Sequence, residues 1–213
     1  LIDPEGQPGY SRATAPPNPP ATWEAGLAAA DKYVGQLRGW GSDGLAGWHS
    51  LRLYALYNRE LKEQGRPTIP QFAVLNYHDC FQHGEYDLLT DRRGRQKSGE
   101  HGFPDPFDPR FEAAARRRAE DWAALVRDDS NFVAWFVDNE IGFDDLHRFV
   151  WSPHCGRALV GFLRERYPSI ADLNQRWGSD FADYDALAAA RPEPLLDRGP
   201  MYEDFIAFER RLY

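Results

Sequence analysis

Two stretches of this chain carry apolar residues at consecutive rather than alternate positions: Phe72–Leu75 within residues 69–77 (IPQFAVLNY) and Phe132–Val137 within residues 132–138 (FVAWFVD). A strand with one face in water alternates apolar and polar side chains. A strand covered on both faces needs apolar residues throughout, as in a parallel sheet with helices laid over it. Helical patterns separate the runs. Residues 51–64 predict one helix, and Asp108 as cap with Pro109 opens another whose apolar stripe is Phe111, Ala115, Trp122 and Val126. Upstream, Thr22 as cap with Trp23, Leu27, Ala30, Val34 and Leu37 predicts a helix ended by Gly39 in a left-handed conformation, and residues 42–48 predict a short strand. Strand alternating with helix predicts an α/β fold with a parallel sheet.

Beyond the second run, Ser152 and Pro153 open a helix that stops before Pro168. Ser169 with Asp172 forms a capping-box pattern for Ile170, Leu173 and Trp177, ended by Gly178, and residues 202–213 predict an amphipathic helix. Residues 1–21, with Pro4, Pro8, Pro16, Pro17, Pro19 and Pro20, read as an extended lead-in without an element of their own, and residues 22–213 as one domain. Residues 78–107 show no period. A connection that long is usually functional or disordered, and it is expected to shape a cleft.

Composition narrows the partners. The 213 residues, 42% hydrophobic and 14% aromatic, suffice for a sizeable core. A net charge of -8 and a pI near 5.3 argue against a nucleic-acid or anionic-membrane partner, both of which need a clustered positive field, and favour a neutral or polar substrate. Lysine occurs only at Lys32, Lys62 and Lys97, so the abundance of arginine reads as a codon bias of the genome. Cys80 and Cys155 are too few for a disulfide framework and read as free thiols. No apolar run reaches the length of a membrane span, so a soluble domain is expected, its compartment and oligomeric state open.

Substrates of α/β proteins bind outside the carboxyl ends of the strands. Asp138, Asn139 and Glu140 occupy one such end, and Gly142 lets the chain turn away. Acids and amides are also ordinary turn residues, so the tripeptide alone is a weak signal. The other ends strengthen it: Trp48 and His49 close the first strand, and Asn76, Tyr77 and His78 the second. Aromatic faces that stack on pyranose rings, beside amides, imidazoles and carboxylates that bond hydroxyls, make a sugar site. Trp151 joins Trp48, Tyr77 and His78 as a candidate platform. A metal site from His78, Asp79, His83 and Glu140 is a weaker alternative, because the spacing is not that of a ligand set.

The segment WFVDNEIGF followed by WSPHCGRALVGFLRERYPSIADLNQRWGSDF resembles the acid/base region of clan-A glycoside hydrolases, particularly the family 42 β-galactosidases. LRGWGSDGLAGW and DPFDPRFEAAARRRAEDWAALVRDDSNFVAWFVDNE resemble the β-agarase-related members. The resemblance implies a (β/α)8 TIM barrel whose fourth strand ends in Asn-Glu. Glu140 then matches the general acid/base and Asn139 the amide that bonds the sugar 2-hydroxyl. An acid that protonates a glycosidic oxygen must be neutral at working pH, and an amide on the 2-hydroxyl strengthens its contact in the transition state.

The sequence departs from the family pattern twice. Family 42 enzymes often carry a cysteine cluster after this strand, whereas WSPHC keeps only Cys155; no structural zinc and no cofactor are expected. A retaining enzyme also needs a nucleophilic glutamate on a later strand, roughly 5 to 5.5 Å from the acid. Asp79, Asp144, Asp145 and Glu203 are poor substitutes, since none ends a recognisable strand. The expectation is therefore the N-terminal half of a barrel, a truncated chain inactive by itself. The alternative is a non-catalytic carbohydrate-binding protein.

Overall fold

The structure is a computed structural model that describes residues 13–14, 23–42, 44–47, 50–75, 85–97, 102–138 and 144–212. Among them, four strands form one parallel sheet in the order β1 (Ala13–Thr14), β2 (Gly44–Leu45), β3 (Gln71–Leu75) and β4 (Phe132–Val137). Helices α1 (Trp23–Gly39), α2 (Leu51–Glu63) and α3 (Pro109–Val126) alternate with them. A doubly wound sheet reverses its direction of growth at a switch point, whereas here each strand lies beside its predecessor throughout. That is the winding of a barrel. The chain is α/β with a parallel sheet, as the apolar runs require.

By compactness the chain divides into residues 1–77 with 117–139 and residues 78–116 with 140–213. The first unit holds the sheet. In α2, Ser50 accepts a hydrogen bond from the Leu53 amide, and Leu53, Tyr54, Tyr57 and Leu61 pack on Ala30, Val34 and Leu37 of α1, with Leu45 and Ile69. A second cluster joins Leu51, Ala55, Ala73 and Val126, flanked by Trp122 and Trp135. At the amino ends of β3 and β4, the Asn58 side chain pairs with both the N–H and the C=O of Ile69 at 2.9 Å. Asp129 accepts from the side chains of Asn58 and Gln71, and the Gln71 amide donates to Asn131 O at 3.0 Å. These bonds fix where the two strands start.

Several expectations change here. Ala13–Thr14 lie inside the supposed lead-in yet pair with Gly44–Leu45. The left-handed residue after α1 is Gly41 (φ 76°), not Gly39, which remains helical. Cover on both faces holds for β3, where Ala73, Val74 and Leu75 are buried, but not for β4, whose Phe136 and Val137 are 56% and 57% exposed. The reason is neighbours: β3 lies between two strands, whereas β4 pairs with β3 alone among the described residues.

The second unit is mainly helical: α4 (Pro153–Arg166), α5 (Ile170–Trp177), α6 (Tyr184–Ala190) and α7 (Pro200–Glu209). Leu159 and Leu163 of α4, Leu173 of α5, Leu187 of α6, and Phe205 and Phe208 of α7 share one core with Leu146, Val150 and Trp151. The Ser169 half of the capping box forms as read, its hydroxyl accepting from the Asp172 amide, while the Asp172 carboxylate accepts from that hydroxyl; Gly178 ends α5 at φ 69°. Helix α6, capped by Asp183, was not anticipated, and α7 begins at Pro200 and ends at Glu209. Asp204 is buried and saturated by Tyr167 Oη, Trp177 Nε1 and Arg166 Nε at 2.6 to 2.7 Å.

Candidate active site

Leu75 of β3 pairs with Val137 of β4 in parallel register, so the two strands finish level, and the Asp138 amide donates to Leu75 O at 2.9 Å. Asp138 has φ 54°, a left-handed conformation uncommon for a residue with a β-carbon. The described chain thus ends this strand with Asp138 in a left-handed conformation; Gly142, expected to let the chain turn away, lies outside the described residues. Asn139 and Glu140 follow in the chain and also lie outside them, as do Trp48, His49, Asn76, Tyr77, His78, Asp79, Cys80 and His83. What the described residues supply is the pair of level strand ends from which residues 76–78 and 138–140 depart.

Trp151 is placed. It is 3% exposed, tilts against Phe205 with ring centroids 6.3 Å apart, and donates from Nε1 to Pro192 O at 3.0 Å. Its indole is a core element with no open face for a pyranose. The patterning of residues 149–151 gave no sign of this, because an aromatic beside a cap reads the same whether it faces in or out.

Residues 144–151 are firmly held within the second unit. Lys97 Nζ donates to Asp144 O, Asp145 adopts φ 60°, and Leu146–Arg148 form a short 3-10 helix whose His147 amide donates to Glu209 at 2.9 Å. Arg148 bonds Asp197 at 2.7 Å, and the Trp151 amide donates to Thr90 O at 2.9 Å. Asp144 and Asp145 therefore sit in a turn, and Glu203 lies on α7 paired with Arg176 at 2.8 Å. None of the three ends a strand.

Sequence reading missed Asp105. It is buried, accepts from Ser152 Oγ at 2.8 Å and from the Cys155 amide at 2.9 Å, and so caps α4 in place of Ser152, whose hydroxyl accepts from no amide of the helix. Cys155 is buried as a free thiol. Burial, then the negative Asp105 nearby, push that thiol up beyond the range in which it would ionise, so it is not a ready thiolate ligand.

Asp87, Asp108 and His154 bring potential ligand atoms within 4.8 Å of one another. The donors already present argue against a metal there. Asp108 accepts from the Asp87 amide at 2.7 Å and from the Arg110 amide, Nε and Nη2 at 2.6 to 3.1 Å, so a guanidinium is its cation. Burial alone would raise this carboxyl, but the bonds from Arg110 and the Asp87 amide outweigh it and hold it well below the usual range.

Residues 68–208 match the family model of the β-galactosidases of glycoside hydrolase family 42. The chain belongs to that family. Over 74 residues it is 34% identical to β-galactosidase BgaH of Haloferax lucentense, covering 32% of this chain and 11% of that protein. Over 183 residues it is 27% identical to β-agarase A of a Vibrio species, covering 76% and 17%. Among solved structures, an agarase, AgWH50C, superposes with a TM-score of 0.62 at 23% identity, covering 89% of this chain and 26% of that one. The β-galactosidase of Bacillus circulans sp. alkalophilus does so at 0.62 and 17%, covering 100% and 34%. At such identities the likeness is one of fold, that of TIM-barrel glycoside hydrolases. This family 42 chain spans less than a fifth of the curated relatives it matches and about a third or less of these structures.

Proposed function

We propose that this chain supplies the acid/base side of a retaining β-glycosidase acting on galactosides or galactose-containing polysaccharides. Four strands wound in sequence, with Asn139 and Glu140 directly after the end of the fourth, carry the reading. In it β1–β4 are the first four strands of a (β/α)8 barrel. Glu140 protonates the departing glycosidic oxygen and then, as a base, activates the water that releases the sugar from the enzyme. Asn139 bonds the 2-hydroxyl, and Trp48, Asn76, Tyr77 and His78 contact the ring from the neighbouring strand ends. Trp151 is left out, being enclosed. The nucleophile comes from outside β1–β4, because each carboxylate weighed among the described residues, Asp144, Asp145 and Glu203, sits in a turn or on a helix.

The test has two arms. The 213-residue chain alone is expected to leave aryl β-galactosides and agar intact; turnover by it, abolished in Glu140→Gln, would place the nucleophile inside the chain. The coding sequence is then read past the codon for Tyr213. If the frame continues to a glutamate at a later strand end, Glu140→Gln in that longer polypeptide should lower kcat about 10²- to 10⁴-fold, and most for poor leaving groups. A longer polypeptide that binds galactan but never hydrolyses it would favour a non-catalytic carbohydrate-binding protein.

A further inference from the structure

The stretch 92–97, RRGRQK, carries four cations in an otherwise acidic chain. A codon bias accounts for arginine in place of lysine, but not for the clustering of positive charge. The structure shows how the cluster is presented. Thr90 bridges Gln96 in antiparallel fashion, Gly94 takes φ 78°, and Asp91 accepts from the amides of Arg93 and Arg95 and from Arg95 Nε, so one buried carboxylate ties the turn from inside. The Arg95 guanidinium folds back onto that carboxylate, with Nη2 2.6 Å from it, whereas the side chain of Arg92 is 40% exposed and Arg93 is exposed. Arg92 lies 3.7 Å from Glu193, and the Arg93 guanidinium has no partner among the described residues.

The same turn is bolted to the segment leaving Glu140. Thr90 bridges Val150 in parallel, Lys97 Nζ donates to Asp144 O, and the Lys97 ammonium lies 5.4 Å from the centre of the Phe149 ring. Four residues of extended chain span at most ~14 Å, so covalent geometry keeps Asp144, and the Lys97 head on it, within a few sugar rings of Glu140. A tied turn that exposes Arg93, with Arg92 only loosely paired, suits an oxyanion on a neighbouring sugar, because arginine binds such groups with two parallel hydrogen bonds.

We propose that the turn formed by residues 91–97 is a specificity subsite for anionic substituents, sulfate esters above all, on a galactan chain threading past Glu140. This rests on the galactoside reading above and refines its substrate class. Arg92 and Arg93 are the recognising side chains, while Asp91, Gly94 and Arg95 set the shape of the turn.

Isothermal titration of the 213-residue chain with a sulfated galactan oligosaccharide and with the same oligosaccharide after desulfation tests it. The sulfated form should bind roughly tenfold tighter at low ionic strength, with the ratio shrinking as salt is added. In the Arg92→Gln, Arg93→Gln double variant the ratio should fall to about one while the melting temperature holds, since both side chains are exposed. Equal affinities in the wild type would overturn the subsite and leave the galactoside reading standing. Equally tight binding of dextran sulfate would also overturn it, by showing attraction to charge without recognition of the sugar. If neither oligosaccharide binds the chain, the subsite is overturned, while the galactoside reading is decided separately by hydrolysis in the longer polypeptide.

Discussion

The two units make opposite use of apolar sequence. In the helical unit, Leu159, Leu163, Leu173, Leu187, Phe205 and Phe208 converge on one core with none of them more than marginally exposed, and the buried Asp204 has three donors. In the sheet unit, β4 is as hydrophobic as β3, yet Phe136 and Val137 stand more than half exposed. Composition does not separate the two strands; the number of adjacent strands does. An apolar run states the cover a strand requires, and the architecture decides whether the cover is there.

Substitution should make that contrast measurable. The largest effect is expected at Phe205→Ala, which empties a fully buried site contacting Trp151 and Trp177 and should cost about 3–5 kcal/mol in urea unfolding. A loss below ~1 kcal/mol would mean the helical core is much looser than its burial implies.

An intermediate effect belongs to acid. Asp108 is held below the ordinary carboxylate range when folded and returns to about 3.9 when unfolded. A depressed folded value stabilises fully above the unfolded one, and that contribution drains away as pH falls from about 4 toward the folded value. Urea midpoints of the wild type should therefore drop steeply below pH 4, and Asp108→Asn should be less stable at pH 6 but flatter with pH. Parallel curves would show that Arg110 does not stabilise the ionised form. The smallest effect is expected at Phe136→Ser in β4, within about 0.5 kcal/mol, accompanied by less aggregation, because an exposed apolar strand edge invites pairing. A cost equal to that of Phe205→Ala would erase the contrast between the units.

The strands that carry the candidate site were legible because their signal is local: runs of four and six consecutive apolar residues between turn residues admit few readings. The cap of α5 was legible for the same reason, Ser169 and Asp172 being three residues apart. Helix α1 was placed well but its terminator was not, since Gly39 and Gly41 offer the same freedom and only the path of the chain selects between them. The two-residue strand β1 is too short to leave a pattern and is formed by pairing with β2, which lies inside the strand read at residues 42–48 and itself pairs with β3. The enclosure of Trp151 and the role of Asp105 depend on residues more than 40 positions away, which no window of sequence reports.

Asp105 has one more consequence, and it concerns the order of assembly. Helices α5 and α6 are each capped from three residues upstream, so their first turns can close as soon as their own sequence is present. The first turn of α4 is capped from 50 residues away. Its start waits for loop closure, and the entropy of that closure is charged to the formation of the helix that carries Cys155. A substitution in residues 102–108 is thus also a substitution in α4, even though no residue of the helix has changed.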